Sequence, residues 1–269
     1  MADTGEQSTV KTVDRVALVL RALEQGGSDG CRLSDIAERT GLGKTTTHRL
    51  LSALVAVGFV ERGPSSRLYR LGFGLFSLGM AARRFDVIEL ARPALQRLAE
   101  RTGDTVFLSV RAGDEALCID RATGSYPIKT LTLNVGDRRP LGVGAGSLAL
   151  LAFLEDSQVE RLLAANAAAR RPYGAFDDES LWGMIVRARQ QGHTFNDGRI
   201  VNAMNALGVP VHDGEGDVVA ALSIAAIRER MSAERVDELQ ALLKEESAAL
   251  SQQIGRAAPS SPPEMALLS

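Results

Sequence analysis

The chain is poor in the residues that usually build metal, redox or covalent chemistry. It has two cysteines, three histidines and one tryptophan, and aromatics make up 4% of it. Cys31 and Cys118 are far apart and form no CxxC pair, so no disulfide framework is expected, only two reduced, semi-buried thiols. His48, His193 and His212 fall in no HxxxH or HExxH spacing, and no cysteine cluster accompanies them, so no metal site and no cofactor are expected. A Gly-x-Ser-x-Gly elbow is missing. Cys118 and Asp120 share one strand face but lack a neighbouring base, which argues against a nucleophile there and against an enzyme. No run of about 18 apolar residues occurs, so no membrane span is expected. Residues 1–10 lack the basic start and apolar middle of a secretory signal, so the expected location is the cytoplasm.

What is present is ordinary in bulk and uneven in detail. The 269 residues are 45% apolar and 24% charged, which suits a globular protein of two domains. The net charge of −2 hides an asymmetry. Between Lys11 and Arg83 eleven Lys and Arg face six Asp and Glu, while the rest of the chain is acidic. A basic quarter on an acidic protein points to a polyanion as its partner.

Val13, Val16, Ala17, Leu20 and Leu23 recur at helical spacing and predict a first helix ending near Gly26. Leu33, Ile36 and Ala37 predict a short second helix capped by Ser34 and broken at Gly41. Leu42, Leu50, Leu51, Leu54 and Val57 give the inner stripe of a third, stopped by Gly58. Two β-type runs, 59–62 and 68–71, flank the turn 63–66. Three helices and a two-stranded ribbon make a winged helix-turn-helix over residues 10–72, whose third helix would enter the major groove. Its outer face carries Lys44, Thr45, Thr46, Thr47, His48 and Arg49, residue types that fork onto guanine, meet thymine methyls or neutralise phosphate. Arg67 at the wing tip, together with Arg15 and Ser34, completes the expected DNA contacts; the partner is double-stranded DNA. Binding a protein instead, as an adaptor, is the alternative for such a module.

A helical segment over 73–86 leaves this unit, and a further helix runs from about 87 to 100. Beyond Gly103 the pattern turns to strands at 105–111, 116–121 and 129–133. Helices follow at 148–154, 156–165 and 179–191, then strands at 206–212 and 218–225 and a final helix over 233–254. This order predicts an α+β fold with an antiparallel sheet over 87–255. Residues 1–9 and 256–269 read as disordered tails.

Several of these segments together resemble the IclR family of bacterial regulators. They are Thr12-Val13-Asp14-Arg15-Val16, the stretch from Leu42 to Leu51, and Tyr69-Arg70-Leu71-Gly72. Further along, the stretch from Leu95 to Gly103, Gly208-Val209-Pro210-Val211 and Ala220-Ala221-Leu222-Ser223-Ile224 match in the same order. The resemblance implies a GAF-like effector domain, a homodimer or homotetramer, palindromic operators and repression of a catabolic operon relieved by a small molecule. Activation is the alternative sign. A dimer also follows from the few base contacts one module makes.

The resemblance places an effector pocket over the sheet, with Gly144, Ala145, Asn196 and Ser223 in its floor and an organic acid as its ligand. A helix start suits a carboxylate. Asn196 replaces an acidic residue of some members, and Ala225 replaces a second serine; both changes imply a larger or less polar ligand than glyoxylate or pyruvate. Arg139 or Arg138 would pair an acid at the mouth or stay exposed. Leu131, Leu133, Leu141, Met204 and Leu222 would form the wall, unless they simply pack the core.

Overall fold

Val16, Val19, Leu20 and Leu23 form the inner stripe of α1 (Lys11–Glu24), with Val19 and Leu23 fully buried. Val13, expected in that stripe, is 63% exposed in the first turn of the helix. The structure is a computed structural model that describes residues 11–63, 67–81 and 86–257. It divides into two compact units between Phe85 and Asp86.

In the first unit, α1 is followed by β1 (Cys31–Arg32), α2 (Leu33–Thr40), α3 (Lys44–Ala56), β2 (Val60–Arg62), β3 (Leu68–Leu71) and α4 (Phe73–Ala81). The strands form an antiparallel sheet in the order β1-β3-β2. Strand β1 was not anticipated: two residues are too short to show a period. Ser34 does not cap α2. The helix begins at Leu33, and the Asp35 carboxylate accepts the Arg32 backbone N–H at 3.3 Å while the Ser34 hydroxyl turns to Asp35. The turn to α3 rests on Gly41, which ends α2 at φ +66, a conformation glycine adopts without Cβ strain. Leu42 falls in this turn, not in α3.

The second unit opens with α5 (Asp86–Thr102) and the hairpin β4 (Thr105–Ala112) and β5 (Glu115–Thr123), joined by two residues with Gly113 at φ +71. Then come β6 (Arg138–Pro140), α6 (Ala145–Ala152), α7 (Asp156–Arg170), α8 (Asp178–Gln191), β7 (Thr194–Asp197), β8 (Met204–His212), β9 (Val218–Ile227) and α9 (Ala233–Ala257). The six strands pair antiparallel in the order β6-β5-β4-β9-β8-β7. No strand forms at 129–133: that stretch is irregular, and the edge strand is β6. Polar, part-apolar β7 carried too weak an alternation to be anticipated.

Strand parity divides the sheet into two faces. Val106, Leu108, Leu207, Val209, Leu222 and Ile224 point to α5 and α9, where Leu95, Leu98, Leu239 and Leu243 meet them. Ala221, Ser223 and Ala225 alternate to the other face. There α6, buried along its whole length, lies against β8 and β9. Gly208 admits it: a Cβ on Gly208 would stand 2.6 Å from the Ala145 carbonyl oxygen. Gly146 does the same from the helix side, where a Cβ would meet the Ser223 hydroxyl at 2.8 Å. The tail expected from residue 256 begins inside α9; the other tail residues, and residues 64–66 of the wing turn, lie outside the described residues.

Candidate functional site

The first unit presents one polar helix face. Thr47, Leu51 and Leu54 anchor α3 from behind. On the opposite arc Lys44, Thr45, His48 and Arg49 are exposed and Thr46 is half-buried. Thr47, expected among the DNA contacts, is fully buried and its hydroxyl donates to the Gly43 carbonyl at 3.2 Å. Its position one turn before Leu51 puts it on the anchored side. Gly43 precedes α3 in an extended conformation, and no side chain caps the helix. The first backbone N–H groups of α3 are therefore available to a phosphate oxygen. Arg15, Ser34 and Arg67 are exposed. On the ribbon, Arg62 lies over the Tyr69 ring at 5.7 Å and Arg70 pairs across from Glu61.

The second unit holds a cleft on the α6 side of the sheet, with ≈ 620 Å³ between its walls, mouth included. Its floor is read directly from register: Phe107 pairs with Ser223, and Ala225 pairs with Ala206. Gly144, Ala145, Asn196, Met204, Ser223 and Ala225 line it, as the sequence led us to expect, and so do Arg139 and Leu133. Arg138 does not; it pairs with Glu115 at 3.4 Å. Three leucines are corrected. Leu131 is 52% exposed on the irregular stretch, Leu141 is buried among α6, α7 and α8, and Leu222 faces α5 and α9. The missing strand at 129–133 accounts for the first, and strand parity for the last.

Sequence reasoning missed Phe107, Ser109, Cys118 and Thr130 in the lining. Phe107 and Ser109 carry a signal, since they alternate with the core residues Val106 and Leu108. That signal became usable only once β4 was known to pair with β9. Burial pushes the Cys118 thiol up to about 11, so at pH 8 only about one molecule in a thousand carries the thiolate. Iodoacetamide at that pH is expected to leave Cys118 of the native protein largely unlabelled over minutes, read by peptide mass, and to label it on denaturation. Rapid native labelling would contradict the burial. Among the described residues no group of three or more His, Cys, Asp or Glu is placed to hold a metal, and no helix is long and apolar enough to cross a membrane.

A helix-turn-helix with an exposed polar recognition face and a β-ribbon wing, followed by an α+β unit with its own cleft, defines a DNA-binding transcriptional regulator of two parts. Comparison with known proteins agrees. Residues 12–64 match the IclR helix-turn-helix domain and residues 79–252 match the bacterial transcriptional regulator IclR C-terminal domain. The chain belongs to the IclR family. It is 30% identical over 225 residues to the HTH-type transcriptional regulator KipR of Bacillus subtilis, covering 83% of this chain and 89% of that protein. It is 30% identical over 237 residues to the HTH-type transcriptional repressor AllR of Salmonella typhi, covering 87% of this chain and 86% of that one. A solved IclR-type regulator from Alicyclobacillus acidocaldarius superposes with a TM-score of 0.76 at 30% identity, over 92% of this chain and all of that one. These relatives are regulators, and so is this protein; it is not an enzyme.

Proposed function

We propose that this regulator reads palindromic operator DNA in the cytoplasm as a homodimer or tetramer, and that a small organic acid bound in the cleft changes its hold on DNA. Residues 10–72 bind DNA, 73–86 connect, and 87–255 sense the effector. The observation that carries the reading is the two-sided α3: leucines fix one side, and Lys44, Thr45, His48 and Arg49 stand free on the other. Arg15, Ser34 and Arg67 would add backbone contacts. A second copy is supported by the exposed apolar side chains of α4. Phe73 is 70% exposed and Phe76 59%, more than a lone surface helix needs to show. Repression of a catabolic operon is the sign we favour, because a relative matched over most of its length is a repressor. The ligand acts only so far as it binds one arrangement of the protein better than another.

Titration of a fluorescent duplex carrying the upstream region of the regulator's own gene, at several salt concentrations, tests this. Each phosphate neutralised contributes about −0.9 to the slope of log K against log salt. Two modules, each placing two or more basic side chains on phosphates, should give a slope of about −4 or steeper. A flat salt dependence, or no binding, would leave an adaptor role in its place.

A further inference from the structure

The start of α4 is bonded to the end of α3 and to the wing. Gly58 and Phe59, the turn that follows α3, donate back to that helix: the Gly58 N–H to the Val55 carbonyl at 3.1 Å and the Phe59 N–H to that of Leu54 at 2.9 Å. The carbonyls of the same two residues accept from the other side. Gly58 receives the Gly74 N–H at 3.0 Å, and Phe59 receives the Gly72 N–H at 2.8 Å. Both residues of the turn are therefore tied to α3 through one main-chain group and to the start of α4 through the other. A third link comes from β2, where the Glu61 carboxylate accepts the Phe73 N–H at 3.3 Å, a favourable place for negative charge at a helix start.

The approach is backbone on backbone. A Cβ on Gly74 would lie 2.7 Å from the Gly58 carbonyl oxygen and 3.0 Å from its carbon, and one on Gly72 would strike the same oxygen. Glycine at 72 and 74 is what permits it. The Phe59 ring, whose Cδ1 would stand 3.2 Å from the Gly74 Cβ, packs against the core cluster that holds Leu51 and Leu54, the residues behind α3. A joint made of main-chain atoms has no side-chain rotamers through which to slip.

We propose that Gly58, Gly72, Gly74 and Glu61 are positioning residues for DNA reading: they fix α4 to α3 as one rigid piece, so that pairing of two copies through α4 sets the half-site spacing the recognition helices accept. This rests on the reading of the protein as a dimer that meets at α4. The four residues act through α3; Lys44, Thr45, His48 and Arg49 read the half-site itself. Engagement of the second half-site is intramolecular, and its gain is lost where geometry forbids both contacts at once. A loose joint would accept several spacings with a small gain at each, whereas a joint without play accepts one.

The test starts with selection of duplexes from a random-sequence pool by the full-length protein, which yields the half-site and its spacing together. Binding is then measured for the selected palindrome, for versions with one or two base pairs added or removed at its centre, and for a single half-site. Each base pair displaces the second half-site by about 3.4 Å and turns it by about 35°. A change of one base pair should cost the native protein roughly tenfold or more in affinity. Gly74→Ala should flatten this profile or move its optimum and lower the gain of pair over single site by roughly tenfold, with single-site affinity within about threefold of native. Glu61→Ala should act in the same direction by about threefold. Glu61→Gln, whose amide oxygen still accepts the Phe73 N–H, should keep the native profile. Damage to the fold lowers paired and single binding alike and displaces no optimum. A sharp native optimum that Gly74→Ala and Glu61→Ala both preserve overturns the joint and leaves the dimer standing; if Gly74→Ala does not fold, a native profile in Glu61→Ala has the same force. If the native protein binds a single half-site as tightly as any pair, the dimer reading and the spacing role fall together.

Discussion

Arg49→Ala is expected to weaken operator binding by at least about thirtyfold while leaving the protein folded. Arg49 is exposed on the outer arc of α3, and no structural hydrogen bond or ion pair involves it among the described residues. Losses at such surface positions stay within about 0.5 kcal/mol of stability. An arginine forked onto a guanine is worth about 1–3 kcal/mol of discrimination, and a palindrome engages two of them, so about 2–6 kcal/mol is at stake. At about 1.4 kcal/mol per factor of ten, the lower bound is already thirtyfold. Footprinting beside a melting curve separates the two quantities. Full operator affinity in the variant would move recognition away from α3. Thr47 stands in contrast: it is buried behind the helix, so a change there acts through folding.

The other large effect belongs to Gly208→Ala in β8. The added methyl would lie 2.6 Å from the Ala145 carbonyl oxygen and 2.8 Å from both its carbon and the Thr194 hydroxyl. Two of these three atoms are backbone, which cannot rotate away as a side-chain tip can. Thr194 is itself held, donating to the Ala145 carbonyl at 2.7 Å. The start of α6 must therefore lift from the sheet, at a cost near the upper end of the overpacking range, about 3 kcal/mol. For a unit of this size that corresponds to roughly 6–12 °C in Tm. Because the same turn of α6 walls the cleft, ligand binding should go with it. A variant that melts with the native protein would mean that α6 is not seated at Gly208. By the same geometry a leucine at position 223 would strike α6, because the Ser223 hydroxyl already fills the space a Cβ on Gly146 would need. Ala225, beside Phe107 on the open floor, has more room in front of it.

The helices of the first unit were legible because their signals are local. Gly41 and Gly58 punctuate them, and Leu51 and Leu54 fix the phase of α3. The error at Thr47 came from reading a contiguous polar run as one face, although a helix turns 100° per residue and buries every third or fourth position. The long strands β8 and β9 were legible for the same reason, being continuous apolar runs bounded by turns. Strand β6 was not. Its three residues, Arg138 to Pro140, carry two arginines, and β-branched residues at 129–133 drew the assignment away from it. A strand at a sheet edge exists because a neighbour pairs with it, and that neighbour is distant in sequence.

From sequence alone came the class of protein: a basic recognition helix with its wing, then an acidic α+β unit with a glycine-rich helix start. Those traits are set by composition, periodicity and turn chemistry, each confined to a few adjacent residues. Tertiary structure alone decided which side of each strand faces the cleft, that Arg139 enters it while Arg138 turns to Glu115, and that Leu131 and Leu141 stay out. Those outcomes depend on register between strands far apart in the chain, and shifting a strand by one residue exchanges its two faces.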